Sequence, residues 1–230
     1  MLADASPHGS GASATAKGKA RMSGAERRAA IVQAAIRRFA IHGFRGTTTR
    51  ELAAAAGVSE PVLYQHFATK RDLYTAIVDQ LIAQAHERFD ERAKKLEPEA
   101  TDREFLQWLG ESILAYHSED PDRVRLLVFS ALEGHELADL WFEKATMDFI
   151  RWVEKHLETR IAAGAIRPES PELLAKAFIF MVSHFGFMRL LFPKHCTTAP
   201  DSGLVERLVE IFLSGIATNQ QTPTDSHDKS

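Results

Sequence analysis

The stretch from Thr47 to Lys70 constrains this chain more than any other. Thr48 is placed to cap a helix, with Glu51 three positions on to bond back to the cap's own N–H. Leu52 and the run of alanines behind it favour helix and leave a small apolar face. Gly57 stops that helix, because glycine takes a left-handed conformation without a Cβ clash. Ser59 is in position to cap the next helix, and Pro61 falls in its first turn, where a missing N–H is no loss. Helix, glycine turn, helix predicts a helix-turn-helix whose second member enters a DNA major groove.

The second helix divides its faces. Leu63 and Phe67, four apart, face inward. Glu60, Val62, Tyr64, Gln65 and His66 are left looking outward. A tyrosine, an amide and an imidazole in one exposed run suit phosphate and base-edge contact. Thr69 opens another helix, with Asp72 at its third position. Lys70 and Arg71 lie in that first turn, where backbone N–H groups also favour an anion such as phosphate.

From Ala25 to Val78 the chain resembles the DNA-binding domain of the TetR family of bacterial transcription regulators. The residues that carry the resemblance are Phe39, Gly43, Phe44, Thr47, Thr48, Ala53, Gly57, Val58, Leu63, Tyr64, Phe67, Lys70 and Leu73. Read with that resemblance, the expected DNA-binding set is Thr48, Thr49, Glu60, Pro61, Val62, Tyr64, Gln65, His66 and Lys70. Double-stranded operator DNA is the expected partner. The resemblance also implies that a small molecule binds in a helical bundle behind the DNA-binding domain.

Charge is distributed to match. Eleven basic and three acidic residues lie between Lys17 and Arg71, although the 230-residue chain has a formal net charge of −3. A basic front and an acidic rear fit a DNA-facing domain on a body that DNA repels. Cys196 is the sole cysteine, so no disulfide forms within the chain, and a reducing cytoplasm is the expected location. Cys196 lies in a loop beside Lys194 and His195 and is a candidate redox sensor. The sequence shows no membrane span by inspection and no basic-then-apolar signal pattern.

The expected fold is all-α, with a helix-turn-helix domain over residues 23–68 and a larger helical ligand-binding and dimerisation domain over 69–218. Tails at 1–22 and 219–230 are expected to be disordered. Lys17, Lys19 and Arg21 could reach an adjacent minor groove. Ser23 and Glu26 open the first helix, which runs to about His42. A long fourth helix runs from Thr69 to about Lys95, and Glu97-Pro98-Glu99 breaks the chain. Thr101 and Glu104 open a fifth, Asp120-Pro121 a sixth, and a seventh continues from about Glu136 to Ala163. The eighth, opened by Ser170-Pro171, is apolar nearly all round and should be buried on more than one side. The ninth runs from about Ser202 to Ala217. The last two helices are the expected homodimer surface, pairing with their symmetry mates as a four-helix bundle.

The aromatic content of the fifth to eighth helices suggests an apolar pocket. The candidate ligand residues are Phe105, Trp108, Tyr116, His117, Phe129, Trp141, Phe149, Phe178 and His184. The ten histidines show no metal-binding spacing, and no cofactor motif is present. No nucleophile elbow, phosphate-binding glycine loop or catalytic carboxylate pair occurs, so the sequence does not read as an enzyme. The function expected is ligand-responsive transcriptional regulation, most simply repression released by a small apolar effector. The alternatives are an architectural DNA-binding protein without a ligand, and an enzyme or carrier bearing a helix-turn-helix.

Overall fold

The computed structural model describes residues 22–96, 99–196 and 201–216. The proposed minor-groove arm, the break at Glu97-Pro98, much of the loop before α10 and the tail at 219–230 lie outside the described residues. Within them every regular element is helical. In order these are α1 (Gly24–His42), α2 (Thr49–Ala56), α3 (Glu60–His66), α4 (Lys70–Ala93), α5 (Asp102–Glu119), α6 (Pro121–Leu132), α7 (Glu136–Trp141), a π-helical turn (Phe142–Thr146), α8 (Met147–Ala162), α9 (Pro171–Leu191) and α10 (Asp201–Ile216).

Local chemistry sets most of the starts. Ser23 with Glu26, Thr48 with Glu51, Thr69 with Asp72 and Thr101 with Glu104 each form the reciprocal pair of cap bonds. Ser59 stands at the start of α3 in extended backbone, but its hydroxyl makes no cap bond. That corrects the expectation for Ser59. Three residues after Ser59 stands Val62, so no acid is there to complete a reciprocal pair like the four above. Gly57 takes φ 66° and ψ 31°, and its N–H returns to the Ala53 and Ala54 carbonyls.

The expected single seventh helix is interrupted. The π-helical turn over Phe142–Thr146 adds a residue to one turn and so rotates α8 relative to α7. Ala145 is buried in the front core, whereas Ile150, Val153 and Leu157 of α8 are buried in the rear one. One unbroken α-helical phase does not serve both cores, and the wide turn re-aims the apolar face between them.

The front core gathers Ile31, Val32, Phe39, Leu52, Leu63 and Phe67 from α1 to the end of α3, with Leu73, Tyr74, Ile77 and Leu81 from α4. It also takes Leu126 from α6, so the helix-turn-helix unit closes its core against the body behind it. The rear core joins Phe105, Leu109 and Ile113 of α5 to Val153 of α8, Phe178 and Val182 of α9, and Val205 and Val209 of α10.

Helix α9 packs against α5 and α8. It is not buried all round in the single chain: Leu173, Phe180 and Leu191 stay exposed. Helix α9 has 21 residues, and a stretch of 18 within it has a mean hydropathy of 1.4, long and apolar enough to cross a bilayer by composition alone. That corrects the expectation that no such segment exists. Its Glu172, Lys176, His184 and Arg189, and its packing in the rear core, belong to a bundle helix.

Candidate nucleic-acid interface and the region behind it

The start of α2 and the whole of α3 meet at one outward face. Pro61, Tyr64 and Gln65 are exposed, while Thr49, Glu60, Val62 and His66 are half-buried. Thr49 joins the two helices: its hydroxyl donates to Glu60 Oε1 at 2.9 Å and accepts from the Tyr64 hydroxyl at 3.3 Å. Glu60 and Tyr64 are therefore aimed by a side chain of the preceding helix. Thr48 is exposed, with its hydroxyl engaged by Glu51 as the cap of α2. The Arg38 guanidinium completes that corner, lying 3.0 Å from the Glu51 carboxylate.

Lys70 lies differently from a side chain extended toward solvent. Its ammonium donates to the Phe44 carbonyl at 2.6 Å and to the Thr47 carbonyl at 2.8 Å. It also lies 4.1 Å from the centre of the Phe44 ring, a cation–π distance. Burial pushes its pKa below the ordinary lysine value, and the nearby Glu133 carboxylate opposes that shift. Lys70 thus fastens the start of α4 to the loop between α1 and α2.

The same loop is held from behind by the end of α6. The Phe44 N–H donates to Glu133 Oε2 at 2.9 Å and the Arg45 N–H to Glu133 Oε1 at 3.1 Å. The Arg45 guanidinium returns to the Glu133 carbonyl at 3.2 Å. Gly43 makes this approach possible in two ways. Its φ is 67°, and a Cβ there would lie 2.4 Å from the Glu133 carboxylate. His135 then packs on Phe44 and Tyr74, with ring centres 4.7 and 4.8 Å apart. Arg71 pairs with Glu136 at the start of α7. Burial lowers the pKa of His135 and raises that of Tyr74 in this cluster.

The candidate ligand residues do not gather around one cavity. Phe105, Trp108 and Phe149 pack among Phe89, Trp152 and His156, with Phe105 stacked on His156 at 3.7 Å and Phe89 edge-on to Phe149 at 5.2 Å. Trp108 Nε1 donates to the Arg92 carbonyl at 3.1 Å. Tyr116 and Trp141 form a second group, their ring centres 6.2 Å apart and their planes inclined by 28°. Beside them His117 is buried, its Nδ1 2.8 Å from the Ile113 carbonyl, so that nitrogen carries the proton. Phe178 is in the rear core against Phe212. Phe129 is half-buried and His184 is exposed. A hollow of about 250 Å³ at the α6–α7 corner is lined by Ala131, Gly134, His135, Ala138, Asp139 and Phe142, none of them among the candidates. Among the described residues no three metal-ligating side chains converge. Cys196 is free and half-buried.

Two residues with structural weight carry no signal in the sequence. Glu133 lies next to a glycine that only marks a helix end, and its partners are nearly ninety positions away. Arg123 follows Asp120-Pro121 in a first helical turn, where charge normally meets solvent, yet it is fully buried.

Comparison with known proteins matches both halves of the chain. Residues 31–77 match the family described as bacterial regulatory proteins, tetR family. Residues 104–215 match the C-terminal domain of AefR-like transcriptional repressors. The chain is 23% identical over 196 residues to the HTH-type transcriptional regulator YhgD of Bacillus subtilis (strain 168), covering 84% of this chain and 98% of that protein. It is 29% identical over 163 residues to the HTH-type transcriptional regulatory protein RaaS of Mycobacterium tuberculosis (strain ATCC 25618 / H37Rv), covering 71% and 70%. Its fold is similar to that of AibR, solved with isovaleryl coenzyme A and operator DNA. The TM-score is 0.63 at 21% identity, over 81% of this chain and 97% of that one. An outward-facing helix-turn-helix closed against a helical body, matched in sequence at both ends, places this chain in the TetR family of DNA-binding transcriptional regulators.

Proposed function

We propose that the protein is a homodimeric repressor that a small molecule releases from its operator, acting in the cytoplasm. The observation that carries this reading is the Glu133 clamp. The end of a helix in the body holds the loop that leads into the DNA-binding helices. A shift of α6 therefore moves the front unit. AibR, whose fold is similar, was solved with both a coenzyme A thioester and operator DNA. An effector that binds one arrangement of α6 better than the other would change operator affinity by population shift.

Thr48, Thr49, Glu60, Pro61, Val62, Tyr64, Gln65 and His66 form the proposed contact face. Lys70 supports it from inside by fixing the loop and the first turn of α4. The effector region lies in the body, where Tyr116, His117 and Trp141 come together around α5 and α6.

Dimerisation is proposed through α9 and α10. One helix-turn-helix covers one half-site, so a specific operator needs two, spaced by about 34–36 Å or a multiple. Ile211 of α10 is 67% exposed and Leu173 of α9 is 56% exposed, which leaves apolar surface on both helices. Burying a carboxylate in that seam leaves it without a partner. Sedimentation of Ile211→Asp, run beside operator binding, tests the arrangement. The expected result is a folded monomer that binds operator at least tenfold more weakly. A dimer with unchanged affinity would contradict it.

A further inference from the structure

The inward face of α6 carries a charge for which the described residues supply no counter-ion. Arg123 is 0% exposed. Its Nη2 donates to the Tyr116 carbonyl at 2.7 Å, in the last turn of α5, where carbonyl groups favour a cation. Its Cζ lies 4.1 Å from the centre of the Tyr116 ring. These contacts leave Nε and Nη1 buried with no hydrogen-bond partner. The Tyr116 hydroxyl, on the ring that the guanidinium covers, is also buried and makes no hydrogen bond of good geometry, although Arg123 lies close enough to act on it.

No neighbouring carboxylate pairs with the guanidinium, although the Asp120 charge reaches the Tyr116 hydroxyl. Asp120 accepts the backbone N–H of Arg123 as the cap of α6. Asp122 pairs with Arg125. Glu119 is held by Arg88 and Arg92 of α4. A buried charge without a partner is unfavourable, and so is each buried donor left unmade. Every unmet group here can donate a hydrogen bond, and the net charge is positive. The walls are aromatic: Trp141 lies against Tyr116, and His117 meets Phe187 of α9 at 4.8 Å. Burial lowers the pKa of His117, so its ring adds no second charge at neutral pH.

We propose that Arg123 and Tyr116 form the head-group site for an effector that is a carboxylate with an apolar body. Its oxygens accept from the guanidinium and the phenol, and its body lies among the aromatic side chains between α5 and α6. The site is at one end of α6 and Glu133 follows the other end, roughly 15 Å along the helix at 1.5 Å per residue. Neutralising Arg123 would therefore act on the same rigid element that holds the DNA-binding loop. This proposal rests on the ligand-responsive reading above.

The test uses the full chain with four probes: decanoate and 4-phenylbutyrate, and their neutral counterparts decanol and 4-phenylbutanol. Thermal melting and operator release are read for the wild type, Arg123→Met and Tyr116→Phe. Either acid should raise the melting temperature and release operator at concentrations where its alcohol does neither. Arg123→Met replaces an unpaired buried charge with an apolar chain of similar length, so it should melt no lower than wild type. It should need about 30-fold or more acid for the same response. Tyr116→Phe keeps the ring and should weaken the response by about tenfold or less. If Arg123→Met does not fold, Tyr116→Phe decides alone. Alcohols that work as well as acids, or variants that respond like wild type, would overturn the anion site and leave the ligand-responsive reading standing. If neither acids nor alcohols act, the ligand-responsive reading fails and the site falls with it.

Discussion

Glu133 accepts the backbone N–H of Phe44 at 2.9 Å, across 89 positions of sequence. The bond joins the corner after α6 to the loop before α2. The Arg45 N–H takes the other carboxylate oxygen, so both oxygens are spent on the backbone of the DNA-binding unit. A carboxylate bonded to two amides fixes a loop more firmly than one bond does, because neither can rotate free of the other. The position of α2 and α3 is thereby referred to α6 as well as to α4.

Lys70 is predicted to matter for stability as much as for DNA. Its ammonium satisfies two carbonyls that would otherwise face a half-buried gap. Lys70→Met keeps the stem over Phe44 and removes both bonds. The expected cost is about 2 kcal/mol, measured by urea unfolding of the full chain. A loss below about 0.5 kcal/mol, the range typical of exposed surface positions, would show that the two bonds do not hold the loop.

Base choice is predicted to lie with the exposed part of α3. Gln65 is exposed and free to pair with adenine, whereas Glu60 and Tyr64 are tied to Thr49. Selection from randomised DNA should show that Gln65→Ala relaxes the preference at one position per half-site, at a cost of about 1–3 kcal/mol. Thr49→Val should weaken binding more evenly across sequences, because it frees the two side chains that Thr49 aims. An unchanged preference in Gln65→Ala would place the reading residue elsewhere on the helix.

Much of this fold is legible in the sequence because helix caps are local. A hydroxyl and an acid three residues apart find each other whatever surrounds them, and the pairs at Ser23, Thr48, Thr69 and Thr101 all form. Ser59 falls outside the rule, because Val62 and not an acid stands three residues on. The outward face of α3 is readable from Leu63 and Phe67, which fix the inward one. The π-helical turn is not, since its residues read as ordinary helix and only the two cores demand the change of phase. Lys70 reads as a phosphate contact from its place in a first turn. Its hold on Phe44 depends on a loop more than twenty residues earlier. Aromatic content suggests one pocket in the body, but composition does not say which rings pack on one another. Arg123 and Glu133 matter through contacts that no local pattern announces.

Three histidines, one buried and two half-buried, give the protein a pH dependence. Burial lowers the pKa of His117 from the ordinary 6.5, and the Arg123 charge adds to that effect, while the Ile113 carbonyl opposes it. His135 and His156 are lowered by burial as well. A group whose folded pKa lies below its unfolded value takes up its proton first in the unfolded chain. Stability is therefore fully present above pH 6.5 and declines as pH falls below it toward the folded pKa. The cap carboxylates Glu26, Glu51 and Glu104 are held below 4.5 by hydrogen bonds to their caps, so their losses begin only in more acid solution. Melting temperature should fall on going from pH 7 to pH 5, and His117→Phe should reduce that fall. A melting temperature that stays level to pH 5 would mean that these rings protonate as easily in the folded protein as outside it.

The central claim is that the body sets the DNA-binding unit through Glu133. The direct measurement is the operator affinity of full-length Glu133→Ala by fluorescence anisotropy, beside wild type, with dimer content fixed by sedimentation at the same concentration. Glu133→Ala should remain folded and dimeric and bind operator at least tenfold more weakly, since the loop before α2 must then be ordered at the expense of binding. An operator affinity equal to or above that of wild type, in a folded dimer, would contradict the claim.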